Sequence, residues 1–184
     1  MELTRPDAEL VLLHRGRVPF EPRPGALLDA RWLEQVDGAG VVTYSQWSGP
    51  VEAGDAVAYR RYRSGREAAE DRTVGCVVLV SVEFDRPGVA EEWVDLVFTA
   101  LAAEGDLHPG GISAHFHVSL DGLRVLNYAE WTSPEAHEEA MARGNGSVGV
   151  SEPWERVHSF TGLTRSDVRR YRVVGDTGGH GEDL

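Results

Sequence analysis

The sequence predicts an α+β fold, a ferredoxin-like α+β barrel formed by two tandem repeats, the first reduced mainly to its β-sheet. Residues 28–58 and 112–142 align without a gap, 84 positions apart, and nine positions are identical, including two tryptophans and two Asp-Gly turns. The second copy extends into a strand–helix–strand–strand–helix–strand order, whereas the first repeats only the strands. The predicted boundaries are 1–65 for the reduced repeat, 66–75 for a linker, 76–174 for the complete repeat and 175–184 for a flexible tail.

The second repeat carries a sequence pattern for every element of this unit. Strands are predicted for segments that are rich in β-branched residues and in which apolar residues occur at every second position. Helices are predicted where apolar residues recur every three or four positions. The Asp121-Gly122 pair is a strong hairpin signal, and Ser133-Pro134 is typical of a helix start. The predicted elements are a strand over 76–84, a helix over roughly 88–104, strands over 112–120 and 123–131, a helix beginning near Pro134, a short helix after Ser151 and a strand over 166–174.

The first repeat keeps the strand patterns and loses the helical ones. The first strand pattern, VLLHRGRV at 11–18, corresponds to CVVLVSVEF at 76–84 in the second repeat. The two lie about 67 positions apart instead of 84, and the difference is the length of one helix. The prolines of the following PFEPRPG disfavour a helix there. The run RRYR occurs at 60–63 and at 169–172, an offset of 109, because most of the second helical region is absent. Since a sheet must cover its apolar face, we expect the helix-free sheet to pack on its sibling and close a barrel.

Composition excludes several classes of function. A net charge of -12 argues against nucleic-acid binding, and the single cysteine, Cys76, excludes an intramolecular disulfide and a multi-cysteine metal site. All 18 basic residues are arginine, so lysine Schiff-base chemistry is excluded. Without an apolar run long enough to cross a bilayer or a signal-peptide pattern, we expect a cytoplasmic protein that does not bind a membrane. The common dinucleotide, serine-hydrolase and zinc-protease motifs are absent.

Strand alternation places one polar side chain in the space between the helices and the sheet. On 123–131, Asn127 shares a face with apolar residues that should meet the helices. A buried amide needs hydrogen-bond partners, so Asn127 either makes a structural bond or holds an oxygen of a ligand in an apolar pocket. The first repeat has Thr43 at this position, and a pocket of this kind would therefore belong to the second repeat alone.

Histidine and aromatic side chains supply the other candidates. His137 and His158 lie on the later helices, where either could act as a base near neutral pH, with an ordinary surface position as the alternative. His115 and His117 alternate on the opposite strand face, where polar packing between sheets is favoured over a pair of metal ligands. The candidate substrate-binding residues, with core packing as the alternative, are Trp93, Phe98, Phe116, Trp154 and Phe160.

The second repeat resembles the antibiotic biosynthesis monooxygenase group of the dimeric α+β barrel superfamily. The match rests on the order of elements and on LNYAEWTSPEAHEEAM, in which Asn127 and Trp131 form an N-x-x-x-W arrangement before a Ser-Pro-capped helix bearing His137. The resemblance implies two ferredoxin-like units paired back to back, here fused in tandem. It also implies that Asn127 and Trp131 line a pocket in which a polycyclic aromatic substrate reacts with O2, without metal, flavin or another cofactor.

Together with the candidate residues, the resemblance implies a cofactor-independent monooxygenase that oxidises an aromatic polyketide-like substrate in a pocket of the second repeat. The predicted catalytic residues are Asn127, Trp131, His137 and His158, although the repetition of Trp131 as Trp47 also favours a packing role. The partners are a small aromatic substrate and O2, and a homodimer of the fused chain stays open. The alternatives are a polyketide cyclase of the same fold, a non-catalytic binding or accessory module and, ranked lower, a heme-degrading monooxygenase.

Overall fold

The computed structural model describes residues 3, 5–17, 27–66, 72–104, 107–144 and 146–177 of the chain. Eight strands and three helices lie within these ranges. The strands are β1 (Leu10–Arg15), β2 (Leu27–Gln35), β3 (Val41–Trp47), β4 (Val57–Arg66), β5 (Cys76–Phe84), β6 (Gly111–Ser119), β7 (Arg124–Trp131) and β8 (Leu163–Asp176), and the helices are α1 (Ala90–Ala103), α2 (Pro134–Arg143) and α3 (Pro153–His158).

The strands close into one barrel in the order β1-β3-β2-β8-β5-β7-β6-β4. Strands β1 to β4 lie side by side, as do β5 to β8, and the antiparallel β2–β8 and β4–β6 ladders join the two sets. The three helices cover the outer face of the second set, and the described part of the first half contains no helix. The predicted α+β barrel with a first half that is mainly β-sheet is confirmed.

The ladder registers fit the two-repeat arrangement. Residues that are 84 positions apart in the sequence occupy corresponding positions in the β2–β3 and β6–β7 hairpins. Strands β1 and β5 also pair with the second strand of each hairpin in equivalent registers, although their own residues lie 66 positions apart. The Trp32–Thr43 pair of the first half corresponds to the Phe116–Asn127 pair of the second. The Leu13–Tyr44 pair corresponds in the same way to the Leu79–Tyr128 pair.

The barrel interior contains aromatic rings and hydrogen-bonded polar groups. The rings of Tyr44 and Tyr128 are fully buried, with centroids 4.8 Å apart. His117 lies beside them, its Nε2 3.1 Å from the Tyr44 hydroxyl and its Nδ1 3.2 Å from the Leu126 carbonyl oxygen. Because a carbonyl only accepts, Nδ1 carries the hydrogen and Nε2 accepts from Tyr44. Burial lowers the pKa of His117 to about 4, so this inward-facing histidine serves polar packing between the sheets, as predicted.

The last strand is longer than predicted, because it pairs with β2 of the first half as far as Arg31 and Asp176. Residues 175 and 176, which polarity and glycine content assigned to a flexible tail, therefore belong to the sheet. Gly175 lies under the indole of Trp32, and a Cβ there would come within 2.6 Å of Trp32 Cε3. The remaining tail residues, 178–184, and the linker residues 67–71 lie outside the described ranges. Among the described helices, none is long and apolar enough to cross a membrane.

Candidate active site

A cavity of about 690 Å³ separates the outer face of the second sheet from the three helices. Its floor crosses the neighbouring strands β8, β5, β7, β6 and β4. Its roof comes from α1 and α3, which are tied together by a hydrogen bond from Nε1 of Trp93 to the Val157 carbonyl, 3.2 Å. The apolar roof residues are Trp93, Val97, Phe98, Leu101, Trp154 and Val157.

One row of the sheet at the cavity floor has no bulky side chains. Val78, Ala129 and Ala114 are direct neighbours across β5, β7 and β6, and all three line the cavity. Neighbouring strands lie about 4.8 Å apart, so this row gives a smooth surface about 10 Å wide. The next row contains Asn127 between Val80 and Phe116. A planar ligand could therefore lie on the alanines with one edge beside an amide.

Asn127 faces the cavity with an unsatisfied polar atom. Its Oδ1 is buried, and no hydrogen-bond partner for it is found among the described residues. Leaving such an atom unpaired costs about 1–3 kcal/mol. The two ends of an amide exchange places when the group turns by half a rotation, so Asn127 can offer either its oxygen or its NH₂ to a ligand. The structural bond that was the alternative reading of Asn127 is not found for Oδ1.

Trp131 and His137 close one end of the cavity. The two rings meet at 82° with centroids 4.9 Å apart, and the side chain of His137 is nearly completely buried. Its Nδ1 accepts a hydrogen bond from Nε of Arg170, 3.0 Å away. Burial, followed by the positive charge of Arg170, lowers the pKa of His137 to about 4. His137 is therefore a neutral imidazole at neutral pH.

His158 lies at the exposed end of α3 and also lines the cavity. Its ring is 6.3 Å from that of Trp154, and no hydrogen bond to its nitrogens occurs within the described ranges. The cavity wall continues beside it along the outer face of β8 through Ser166 and Val168. His158 is thus an accessible imidazole at the edge of an apolar cavity.

Eight of the nine side chains predicted for the site line this one cavity. They are Asn127, Trp131, His137, His158, Trp93, Phe98, Phe116 and Trp154. Phe160 does not line it, so that assignment needs correction. The residue follows the last turn of α3, and its ring packs edge-on against Phe84 with centroids 6.1 Å apart. The sequence places Phe160 next to the site, but the direction of its side chain depends on the α3–β8 connection.

Several lining residues were missed from the sequence. His108 precedes β6 in a segment that was treated only as a helix break, yet its ring lies 6.0 Å from that of Trp131. Its Nδ1 accepts the Gly110 N–H at 3.1 Å, and its Nε2 is 3.5 Å from Oε2 of Glu139 on α2. Arg63 appeared in the sequence comparison only as part of the repeated run RRYR at 60–63. The signal in the sequence that could have identified His108 is a histidine close to two glycines in the turn after the helix.

The first half of the chain also contributes to the cavity. Arg63 and Gly65 of β4 form one wall, with the Arg63 guanidinium 4.1 Å from the centroid of the Phe98 ring. Nη1 of Arg63 also contacts Oδ1 of Asp95 on α1 at 2.8 Å. The pocket predicted to belong to the second repeat alone is therefore completed by a strand of the first. Within the described ranges, no group of three or more His, Cys, Asp or Glu side chains that could hold a metal ion is found.

Comparison with known proteins finds no matching family model and no matching curated protein, but finds solved structures of the same fold. An anthrone oxidase-like protein superposes with a TM-score of 0.67 and 15% identity over 96% of this chain and 94% of its own. A ferredoxin fold protein related to antibiotic biosynthesis monooxygenases, from Listeria monocytogenes 4b F2365, gives 0.57 and 13% over 89% and 94%. A heme-degrading enzyme from Listeria monocytogenes gives 0.55 and 14% over 89% and 99%.

The chain therefore has the ferredoxin-like α+β barrel fold of structures related to antibiotic biosynthesis monooxygenases, as the sequence resemblance implied. Its structural neighbours include monooxygenase-like proteins. Similarity at this level of identity establishes the fold, and one fold can host different reactions. The side chains that line the cavity, among them Asn127, Trp131, His108, His137 and His158, are therefore the basis for a functional proposal.

Proposed function

We propose that the protein is a cofactor-independent monooxygenase that oxidises an electron-rich aromatic, polyketide-like phenol or anthrone with O2 in this cavity. The observation that carries the proposal is Asn127, whose buried Oδ1 lacks a partner among the described residues and borders a mostly apolar space. An anthrone oxidase-like protein among the structures of the same fold supports the reaction class.

The shape of the cavity suits a planar, fused-ring substrate. The row of Val78, Ala129 and Ala114 gives a floor about 10 Å wide, comparable to the length of three fused rings. Trp131 provides an aromatic wall at one end, and Phe98 and Phe116 meet edge to face at 5.4 Å near the other. Aromatic walls favour aromatic ligands through offset and edge-to-face contacts. A ligand lying on this floor would place one edge against Asn127.

The reaction would begin with loss of a proton from the substrate. His158 is the accessible imidazole at the edge of the cavity, and we assign it the role of base. The resulting anion carries its charge on an oxygen that the Asn127 NH₂ can stabilise, and this stabilisation is stronger in an apolar site than in water. In an anthrone, the deprotonated carbon then takes one atom of O2 and becomes a carbonyl carbon. The second oxygen atom leaves as water with the two hydrogens of the original CH₂ group.

Heme degradation with His137 as the iron ligand is disfavoured by the hydrogen bond to its Nδ1. A histidine that binds iron through Nε2 needs a lone pair on that atom, and its hydrogen must then lie on Nδ1. The Nδ1 of His137 instead accepts the Arg170 N–H, which places the hydrogen of His137 on Nε2. His137 is therefore unsuited to bind heme iron in this arrangement, and we derive no step through heme.

Oxygen consumption with a model anthrone tests the proposal. We expect the wild-type chain to accelerate O2 uptake above the uncatalysed rate and to form no product under argon. Asn127→Ala should lower the rate by about 100-fold, as loss of one oxyanion donor does elsewhere. Thr43→Val alters the corresponding position of the first repeat, away from the cavity, and should retain activity. Turnover by Asn127→Ala at the wild-type rate would end the proposal. A cyclase would leave the anthrone unchanged and would instead cyclise an open-chain polyketone under argon, with loss of water.

A further inference from the structure

Arg170 is a charged residue directly behind the cavity wall. It pairs with Val78 across the β8–β5 ladder and so lies on the helix-facing side of the sheet. Its Nε donates to Nδ1 of His137 at 3.0 Å, and its Nη1 lies 3.5 Å from Oε1 of Glu138 on the same helix. Arg170 thus connects the last strand to the helix that carries His137.

This hydrogen bond determines which nitrogen of His137 carries the hydrogen. A guanidinium has only donors and stays charged, so it cannot accept a hydrogen bond from Nδ1. The tautomer with hydrogen on Nδ1 would set two N–H groups against each other, and the neutral imidazole must therefore carry its hydrogen on Nε2. No described residue forms a hydrogen bond with that nitrogen, while the ring lines the cavity.

We propose that Arg170 is a positioning residue that holds His137 in its neutral Nε2–H form, as a fixed hydrogen-bond donor to an anionic oxygen of the bound substrate. The substrate part of this inference rests on the proposed function, whereas the tautomer does not. His137 is then a second donor besides Asn127, and the base suggested for it by the sequence is left to His158. Two donors at separate places suit an aromatic anion whose charge is shared between two oxygens.

The groups around His137 support a neutral donor. Arg170 approaches from β8 and Glu138 from the same helix, where Glu138 compensates the guanidinium charge. His108 also contacts Trp131, and its Nε2 pairs with Glu139 of α2 at 3.5 Å. Burial and the charge of Arg170 lower the pKa of His137 to about 4, so the ring remains neutral throughout the physiological range. The adjacent positive charge also polarises the ring and strengthens its N–H as a donor.

Nuclear magnetic resonance of the full-length protein with ¹⁵N-labelled histidine tests the tautomer. Long-range proton–nitrogen spectra should show His137, assigned with His137→Gln, as the Nε2–H form, without titration between pH 5 and pH 8. In Arg170→Met we expect the Nδ1–H form to become populated and the pKa to rise, because the positive charge is lost. Arg170→Lys should restore part of the wild-type behaviour. Arg172→Met, at an exposed arginine two residues along the same face of β8, is the matched control and should leave His137 unchanged.

The role toward ligand has its own measurement. Binding of 1-hydroxyanthraquinone, a planar probe that is already oxidised, should shift the Nε2 proton of His137 in the wild type and in Arg172→Met. We expect this shift to be lost in Arg170→Met, with turnover of a hydroxyanthrone, which has a second oxygen, lowered about 10- to 100-fold. An Nδ1–H tautomer in the wild type would overturn the inference, as would unchanged binding and turnover in Arg170→Met. If anthrone is not oxidised at all, the proposed function fails while the tautomer and the probe shift still decide the role of Arg170.

Discussion

Asn127→Leu replaces a partly buried amide with an apolar side chain of similar size, and the structure predicts that this substitution stabilises the protein. In the wild type, Oδ1 of Asn127 is shielded from water without a partner in the described ranges. Removing that atom should recover about 1–3 kcal/mol in the free energy of unfolding. For a chain of 184 residues this corresponds to a rise in Tm of about 2–12 °C. The same substitution should abolish oxygenation, because a leucine cannot hold an oxyanion.

Thr43→Val provides a matched control of opposite sign. Thr43 occupies the corresponding ladder position of the first half, opposite Trp32 as Asn127 is opposite Phe116. Its hydroxyl donates to the Gly16 carbonyl at 2.8 Å and is buried. Valine keeps the shape and removes the donor, so we expect a loss of about 1 kcal/mol. Two polar residues at corresponding positions should thus respond in opposite directions.

Urea unfolding of the three proteins measures both effects. The midpoint should shift upward in Asn127→Leu and downward in Thr43→Val, with the slope of free energy against urea unchanged. A gain of stability together with a loss of activity is what a residue retained for function produces. If Asn127→Leu were destabilised as much as Thr43→Val, Asn127 would have a structural role, and the reasoning about the cavity would be refuted.

Three further outcomes follow from the same geometry. The free energy of unfolding should fall by up to about 3 kcal/mol for each of His117 and His137 as the pH is lowered from about 6.5 to about 4. The reason is that these histidines bind protons in the unfolded chain at a higher pH than in the folded protein, where burial lowers their pKa. Urea titrations across this pH range check the prediction, and a stability that does not change with pH would contradict it. Tyr44→Phe removes the donor to buried Nε2 of His117 and should lower stability by about 1–3 kcal/mol in thermal unfolding at pH 7, whereas an unchanged Tm would show that the hydrogen bond contributes nothing. Ala129→Leu raises the cavity floor and should abolish fluorescence-detected binding of 1-hydroxyanthraquinone, while Ala103→Leu at an exposed helix position should not; equal binding by both would place the ligand elsewhere.

Alternation along single strands was enough to predict much of the site. Because side chains on a strand point to opposite faces in turn, the pattern of 123–131 alone placed Asn127 and Trp131 toward the helices. The same rule placed His117 in the barrel interior beside Tyr44. Helical spacing similarly placed Trp93 on the buried side of α1, where it forms part of the roof of the cavity.

Contacts between distant strands could not be predicted in this way. Arg170 meets His137 because the β5–β8 register brings the last strand under α2, and no local pattern specifies that register. Arg63 reaches the cavity only because β4 of the first half pairs with β6 and closes the barrel. The Gly175 position was read as mobile from its composition, although the close approach of Trp32 accounts for the glycine.

Isotope labelling of the product tests the central claim most directly. Anthrone is incubated with the full-length protein under ¹⁸O2, and the product is analysed by mass spectrometry beside an Asn127→Leu reaction that reports the uncatalysed background. We predict rapid formation of a quinone containing one ¹⁸O atom in the wild-type reaction and formation at the background rate in the variant. An unlabelled product, or a labelled one formed equally fast by both proteins, would contradict an oxygenase that acts through Asn127.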